Sequence, residues 1–273
     1  MPLILCGMPI GNPEDISPRV LRTLQNTDLI AAEDTRSAAL FLQAHNLGKE
    51  LLSFYDHNEK ERVPQILELL RQGKTIAVIS EAGMPLISDP GYHLVNAAQK
   101  ENIAIDVIPG PTALITALAA SGLPTDRFAF EGFLPAKTAA RQKTLRELSS
   151  ETRTLIFYEA PHRIQETLQD IAEIFPERQC FAGRELTKKY QEYLHGTAQE
   201  ILAQLKTPKG EFVIVLSGSK KTTAAEIPNE IQELAKQLLA ANLSVSKTAG
   251  IISTVFDWPK NQLKKLLMPE SNT

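Results

Sequence analysis

The sequence predicts an α/β protein: two α/β domains followed by a small C-terminal helical segment. Three observations lead there. Apolar runs of strand length alternate with helix-length amphipathic runs from residue 3 to about 122, the pattern of a parallel sheet covered by helices. A second set of runs opens at FAFEGF (128–133) and closes at EFVIVL (211–216). The stretches SGLPTDRF (121–128) and SGSKKTTAAEIP (217–228) read as linkers between the parts. The expected boundaries are 1–122, 123–220 and 226–273.

LILCGMPIGN (3–12) reads as a buried strand breaking into a stiff turn, and Ser17-Pro18 as the N-cap and first residue of a helix that turns Leu21 and Leu24 inward. LIAA (29–32) is a short strand. Val63, Ile66, Leu67 and Leu70 keep helical spacing on one face. TIAVISEAGMPLISDPG (75–91) and AIDVIPGPTA (104–113) repeat the strand-then-turn theme, and TALITALAASG (112–122) is a helix stopped by Gly122. In the second part TLIFY (154–158) is a strand, Ile164, Leu168, Ile171 and Phe175 share a helical face, and Thr197 with Glu200 forms a capping box before Ile201. Near the end Ile231, Leu234, Ala235 and Leu238 share a face, and residues 244–268 suggest two short helices joined at Asp257-Trp258-Pro259. In outline this is a helix-turn-helix, which serves as a packing element more often than as a nucleic-acid reader.

Composition bounds the function. A net charge of −3 predicts no general affinity for nucleic acid or membranes, though it leaves room for a local basic groove. Cys6 and Cys180 lie far apart, so neither a disulfide framework nor a metal site is expected, which fits a cytoplasmic protein. The start MPLILCGMPIG lacks the basic region of a signal peptide, and no apolar run reaches membrane-spanning length. There is no G-x-G-x-x-G after the first strand, no P-loop, no H-E-x-x-H and no G-x-S-x-G, so dinucleotide, P-loop and serine-hydrolase readings lose their main support. The histidines do not cluster.

What remains is a set of Gly/Pro-rich turns and charged motifs. Turns that follow parallel strands gather at one sheet edge, where ligands bind; proline stiffens them and glycine admits close approach, so they suggest a preformed pocket of main chain. AEDTR (32–36) puts Glu33, Asp34 and Arg36 just past a strand end. It is either an ion-pair and capping cluster with Asp34 or Thr35 as N-cap, or a site. In a site, Arg36 would hold a phosphate while a carboxylate orients or deprotonates a hydroxyl. SFYDHNEKER (53–62) places Phe54 and Tyr55 beside His57 and Asn58, either a polar loop or a place for a base and a phosphate. Lys137, Arg141, Lys143 and Arg146 form a mobile basic stretch that suits an RNA backbone or a solvated face. FYEAPHR (157–163) adds Tyr158, His162 and Arg163, and RELTKKY (184–190) adds Lys188.

Taken together, MPIGNPEDIS, AEDTR, SEAGMPLISDPG, PGPTA, SGLP, FEGFLP, TLIFYEAPHR, RELTKKYQEY and KGEF resemble the ribosomal RNA small subunit methyltransferase I family of tetrapyrrole-methylase-like (class III) methyltransferases. The resemblance runs through residues 3–217 in order and more weakly into the tail. EDTR, FEGFLP and FYE-x-PHR are similar to the RNA branch rather than to corrin or porphyrin enzymes. The resemblance implies S-adenosylmethionine in a cleft between two α/β domains, a homodimer, no metal, and 2′-O-methylation of a decoding-centre cytidine in 16S rRNA of the small ribosomal subunit. On that basis the expected cofactor contacts are Pro9, Ser80, Ala82, Gly83, Ile87, Ser88, Pro109, Gly110, Pro111, Thr112, Ala113, Tyr158 and Glu211. The expected catalytic residues are Glu33, Asp34 and Arg36, with His57 and Lys188 behind them. Lys137, Arg141, Lys143, Arg146, His162, Arg163 and Lys188 would hold RNA phosphates. The family's first turn usually reads T-P-I-G-N and its second S-D-A-G-T-P; here Met8, Glu81 and Met84 stand in their place. If those side chains bind the cofactor directly, a hydrogen bond or two is lost, each worth roughly 0.5–3 kcal/mol; if the backbone binds, the pocket survives. A methyltransferase of the same fold acting on a tetrapyrrole or other small molecule, and a catalytically weakened RNA-binding paralogue, are the alternatives.

Overall fold

A computed structural model describes residues 2–219 and 229–256 and the positions 263 and 267. The first sheet holds β1 (Leu3–Cys6), β2 (Leu29–Ala32), β3 (Leu51–Ser53), β4 (Ile76–Ile79) and β5 (Ile105–Ile108) in the order β3-β2-β4-β1-β5, every pairing parallel. All positions of β1, β2 and β4 are buried, as strands covered on both faces must be. Alternate residues divide between two cores. Leu3, Leu5, Ala31 and Val78 pack on α3 (Glu59–Arg71) and α4 (Tyr92–Lys100). Ile4, Cys6, Ile30 and Ile79 pack on α1 (Pro18–Asn26) and α2 (Thr35–Ala44). The Ser17 hydroxyl accepts from the Val20 amide at 3.1 Å with Pro18 in the first turn, so α1 starts where the sequence signals it. The run around residues 104–108 departs from expectation. It forms β5, an edge strand with Asp106 and Val107 exposed, because β1 alone pairs with it.

α5 (Ala113–Ser121) ends at Gly122, whose φ of +70° supplies the left-handed cap. The second sheet follows: β6 (Phe128–Phe133), β7 (Thr154–Glu159), β8 (Gln179–Arg184), β9 (Glu192–Thr197) and β10 (Phe212–Leu216), in the order β6-β7-β10-β8-β9. β6 runs parallel to β7 and the other pairings are antiparallel. Leu155, Phe157, Phe212 and Ile214 face α6 (Thr138–Glu147), α7 (Ile164–Ile174) and α8 (Ala198–Gln204), the last opened by the Thr197–Glu200 capping box. Ile156, Phe181, Val213 and Val215 face the other way, onto Leu114, Ala117 and Leu118 of α5 together with Ile10 and Leu186. The helix that ends the first half is thus the cover of the second sheet. Met1–Ser219 pack as one compact unit.

Lys220–Thr273 form a second unit. Within it Ile231 and Ala235 of α9 (Asn229–Ala240) pack with Ala249 and Ile252 of α10 (Val245–Phe256) and with Leu263. The predicted break at Asp257-Trp258-Pro259 and most of the predicted linker, residues 220–228, lie outside the described residues. Among the described residues no helix is long and apolar enough to cross a membrane.

Candidate functional site

The strand order creates a switch point. The chain leaves β1 toward β2 on one side of the sheet, and leaves β4 toward β5 on the other, yet β1 and β4 are neighbours. A crevice outside the carboxyl ends of two such strands is where open α/β sheets take ligands. The turns after β1 and β4 meet there. The Met8 amide donates to the Gly83 carbonyl at 2.7 Å, and the Gly83 amide returns a bond to Met8 at 3.2 Å. The turn after β5 presses against the first: a Cβ on Gly7 would lie 2.6 Å from the Gly110 Cα, and one on Gly110 would lie 2.8 Å from the Gly7 carbonyl carbon. Only glycine permits that crossing.

The turn from Ser80 to Gly91 is held open under strain. Leu86 (φ +72°) and Ser88 (φ +66°) both occupy the left-handed region, each at a cost of roughly 1–3 kcal/mol that the surroundings must offset. They do so at both ends. The Ser80 hydroxyl donates to the Ala82 and Gly83 carbonyls, both at 3.2 Å. The buried Glu59 carboxylate accepts from the Gly91 and His93 amides at 3.0 and 3.2 Å. Ala82, Ile87, Ser88 and Pro109 are exposed, and Gly110, Pro111, Thr112 and Ala113 are half-buried. Gly83 and Ser80 are buried and Pro9 is half-buried. Of the residues departing from the family pattern, Met8 is buried in the core with Cys6 and Ile108, so its side chain is not at the pocket edge. Met84 packs its sulfur over Gly7, and Glu81 is exposed.

Carboxylates gather beside these turns. Glu33 is half-buried; burial pushes its pKa up, a hydrogen bond from the Glu81 backbone works against the shift, and the charges of Glu81, Asp56 and Asp34 add to it. Asp89, which no motif in the sequence singles out, is raised to about 7, first by burial and then by the Glu33 charge, with the Ser80 hydroxyl working against the shift. Asp34 has a structural role. One of its oxygens accepts from the Arg36 and Ser37 amides at 2.7 and 3.2 Å and caps α2. Arg36 and His57 are exposed. Among the described residues no group of His, Cys, Asp and Glu side chains is arranged to hold a metal ion.

The second sheet contributes Tyr158, at the end of β7. Its hydroxyl accepts from the Leu114 amide at 3.3 Å, in the first turn of α5 just past the 109–113 turn. Burial raises its pKa, and the Asp89 charge adds to the shift. The loop after β8 docks on the first turn: the Asn12 amide donates to Thr187 Oγ1 at 3.0 Å, and a side chain on Gly11 would collide with Lys188. Lys188 bridges Glu185 at 3.0 Å and Glu211 at 2.9 Å. Glu211, expected on the cofactor, is an exposed carboxylate committed to that bridge, and Lys188, expected on RNA, is committed to it too.

The basic stretch departs most from expectation. It is a helix, α6, rather than a mobile segment, and Arg141 points inward. Arg141 is 1% exposed, with Nε donating to Asp170 at 2.5 Å, and its guanidinium also meets Glu166 and the Ala136 carbonyl. A buried guanidinium paired with a buried carboxylate holds α6 to α7 and cannot reach a phosphate. Arg163 is likewise tied to Glu159, a buried carboxylate that also accepts from Thr167 at 2.6 Å. Lys137, Lys143, Arg146 and His162 are exposed.

The profile of the Tetrapyrrole (Corrin/Porphyrin) Methylases matches residues 2–202. The chain is 47% identical over 220 residues to ribosomal RNA small subunit methyltransferase I of Thermotoga maritima, covering 80% of this chain and 99% of that one. It is 42% identical over 274 residues to the protein of that name in Escherichia coli O157:H7, covering 98% and 95%. Among solved structures, uroporphyrin-III C-methyltransferase of Thermus thermophilus complexed with S-adenyl homocysteine superposes with a TM-score of 0.54 at 18% identity, over 79% of this chain and 96% of that one.

Proposed function

Because this chain belongs to the tetrapyrrole methylase family, and within it to the ribosomal RNA small subunit methyltransferase I branch, we propose that it transfers a methyl group from S-adenosylmethionine to 16S ribosomal RNA. The acceptor is the 2′-oxygen of a decoding-centre cytidine in the small ribosomal subunit. The observation that carries this reading is the switch-point crevice, where a main-chain pocket edge and ionisable carboxylates stand side by side.

The residues fit an adenosyl cofactor on their own geometry. The Gly7–Gly110 crossing and the strained 80–91 turn bring backbone with little side-chain cover to the ends of β1, β4 and β5, where an adenosine and an amino-acid group would be held without relying on the side chains of Met8 or Glu81. Ala82, Gly83, Ile87 and Ser88, the 109–113 turn, Pro9, Ser80 and Tyr158 would hold it. When bound, S-adenosylmethionine supplies a sulfonium methyl that is already electrophilic. The protein has still to aim a ribose hydroxyl and remove its proton. Aiming is worth up to roughly 7–11 kcal/mol in favourable cases. Glu33 and Asp89 are both partly buried, and burial together with the Glu33 charge raises the Asp89 pKa to about 7, so Asp89 is able to accept a proton near neutral pH. The 2′-hydroxyl proton goes to this pair. Arg36, whose backbone amide is held by the Asp34 cap and which is exposed, meets a backbone phosphate. A homodimer is part of the proposal, and sedimentation of the purified chain tests it.

The test is methyl transfer to small subunits, with cofactor affinity measured separately by calorimetry. Glu33→Ala and Arg36→Ala should each slow transfer by about 10²-fold or more while cofactor affinity changes little. Full turnover by both variants overturns the assignment, and no cofactor binding at millimolar concentration overturns the methyltransferase reading itself.

A further inference from the structure

β6 carries a bulge, and the bulge re-aims one aromatic ring. Phe130 pairs with Ile156, but Gly132 pairs with Phe157 and Phe133 with Tyr158, so Glu131 is the extra residue. Gly132 takes φ +66° to make the bend. In an unbroken strand, alternation would set Phe133 on the opposite face from Phe130. With the bulge, both rings meet Tyr158: Phe130 at 4.8 Å and 64°, Phe133 at 5.7 Å and 67° between ring planes. This is the face on which Tyr158 reaches the amide of Leu114 beside the pocket turn. Leu134, the next residue, is buried in the opposite core and fixes the backbone.

The three rings differ in what covers them. Phe130 and Tyr158 are half-buried, whereas Phe133 is 55% exposed. A bulge beside an active site that turns a phenyl ring out of the core and onto the site face, and then leaves it uncovered, prepares a surface for a flat apolar partner. Exposed basic side chains follow nearby in sequence, Lys137 after β6 and His162 after β7. A flat π-surface next to an anionic backbone is the chemistry of a single-stranded nucleotide.

We propose that Phe133 is a substrate-positioning residue that stacks on a nucleobase of the RNA strand entering the site, holding the acceptor ribose toward Glu33. This rests on the rRNA-methylation reading above. Stacking on an aromatic residue is sequence-tolerant, so Phe133 sets the position of the strand rather than the identity of its base.

The experiment uses the purified full chain, small ribosomal subunits from cells lacking it, and labelled S-adenosylmethionine. F133A should raise the KM for subunits about 5- to 100-fold, with cofactor affinity by calorimetry and melting temperature nearly unchanged. F133W should restore most of the activity, because it restores a ring. F133L, apolar but without a ring, should stay impaired and serves also as the control for folding. The proposal is overturned if F133A keeps the wild-type KM, if F133L rescues as well as F133W, or if F133A converts a dimer to a monomer in sedimentation, since the ring would then cover a second copy. Wild-type protein that methylates no subunit overturns the methylation reading first, and with it this role.

Discussion

Replacing Asp89 with asparagine removes a carboxylate that burial and the Glu33 charge hold at a pKa of about 7 rather than 3.8. The sign follows from linkage. An acid whose pKa is higher in the folded state is bound more tightly to its proton there. It therefore costs the fold nothing below its unfolded pKa, costs progressively more as the pH rises toward 7, and costs a constant amount above that. About three pKa units correspond to an upper figure of about 4 kcal/mol; solvent reaches this side chain and screens it, leaving about 1–2 kcal/mol. Asparagine keeps the size without the charge, so Asp89→Asn should be more stable than wild type by that amount at pH 8 and by less at pH 5. For a unit of this length the shift is roughly 2–8 °C in melting temperature at pH 8, read by circular dichroism. The same variant should lose methyl transfer, the usual exchange of stability for activity at a functional site. An Asp89→Asn protein no more stable than wild type at pH 8, or gaining more at pH 5 than at pH 8, refutes the reasoning.

Gly110→Ala forces apart the Gly7 and Gly110 backbones, which the neighbouring prolines hold stiffly; it should cost about 1–3 kcal/mol in stability and weaken cofactor binding in calorimetry. Arg141→Ala strands the buried Asp170 carboxylate and should cost about 3–5 kcal/mol in thermal unfolding, with no change in the salt dependence of RNA binding. Neutralising the exposed Lys137, Lys143 and Arg146 should do the reverse, leaving stability intact and flattening the slope of log affinity against log salt by about 0.7–0.9 for each phosphate that is no longer neutralised.

The meeting of the turns was legible in sequence because glycine and proline mark backbone requirements wherever they fall, and the turns they mark do meet beyond β1, β4 and β5. Caps were legible for the same local reason, as Ser17 and Thr197 show. What could not be read depends on partners distant in the chain. Asp89 stands in Ser-Asp-Pro-Gly, which by itself is only a turn; its shifted pKa comes from burial and from Glu33. Arg141 sits in TAARQKTLRE, a helix with too thin an apolar stripe to reveal its inner face, and its partner Asp170 lies on α7. Phe133 shares a face with Phe130 and Tyr158 only because of a bulge that breaks the regular alternation of a strand. Of the charged candidates, Asp34, Arg163, Lys188 and Glu211 have structural partners that the motifs do not display.

Mapping where the methyl group goes tests the central claim most directly. Small subunits from cells lacking the protein are incubated with the purified chain and labelled S-adenosylmethionine, alongside a corrinoid acceptor, and the RNA is digested to nucleosides. The expected result is label in a 2′-O-methylated cytidine of 16S rRNA from the decoding centre, none in the corrinoid, and loss of that label with Glu33→Ala. Label in the corrinoid, on a base rather than a ribose, or nowhere at all would contradict the claim.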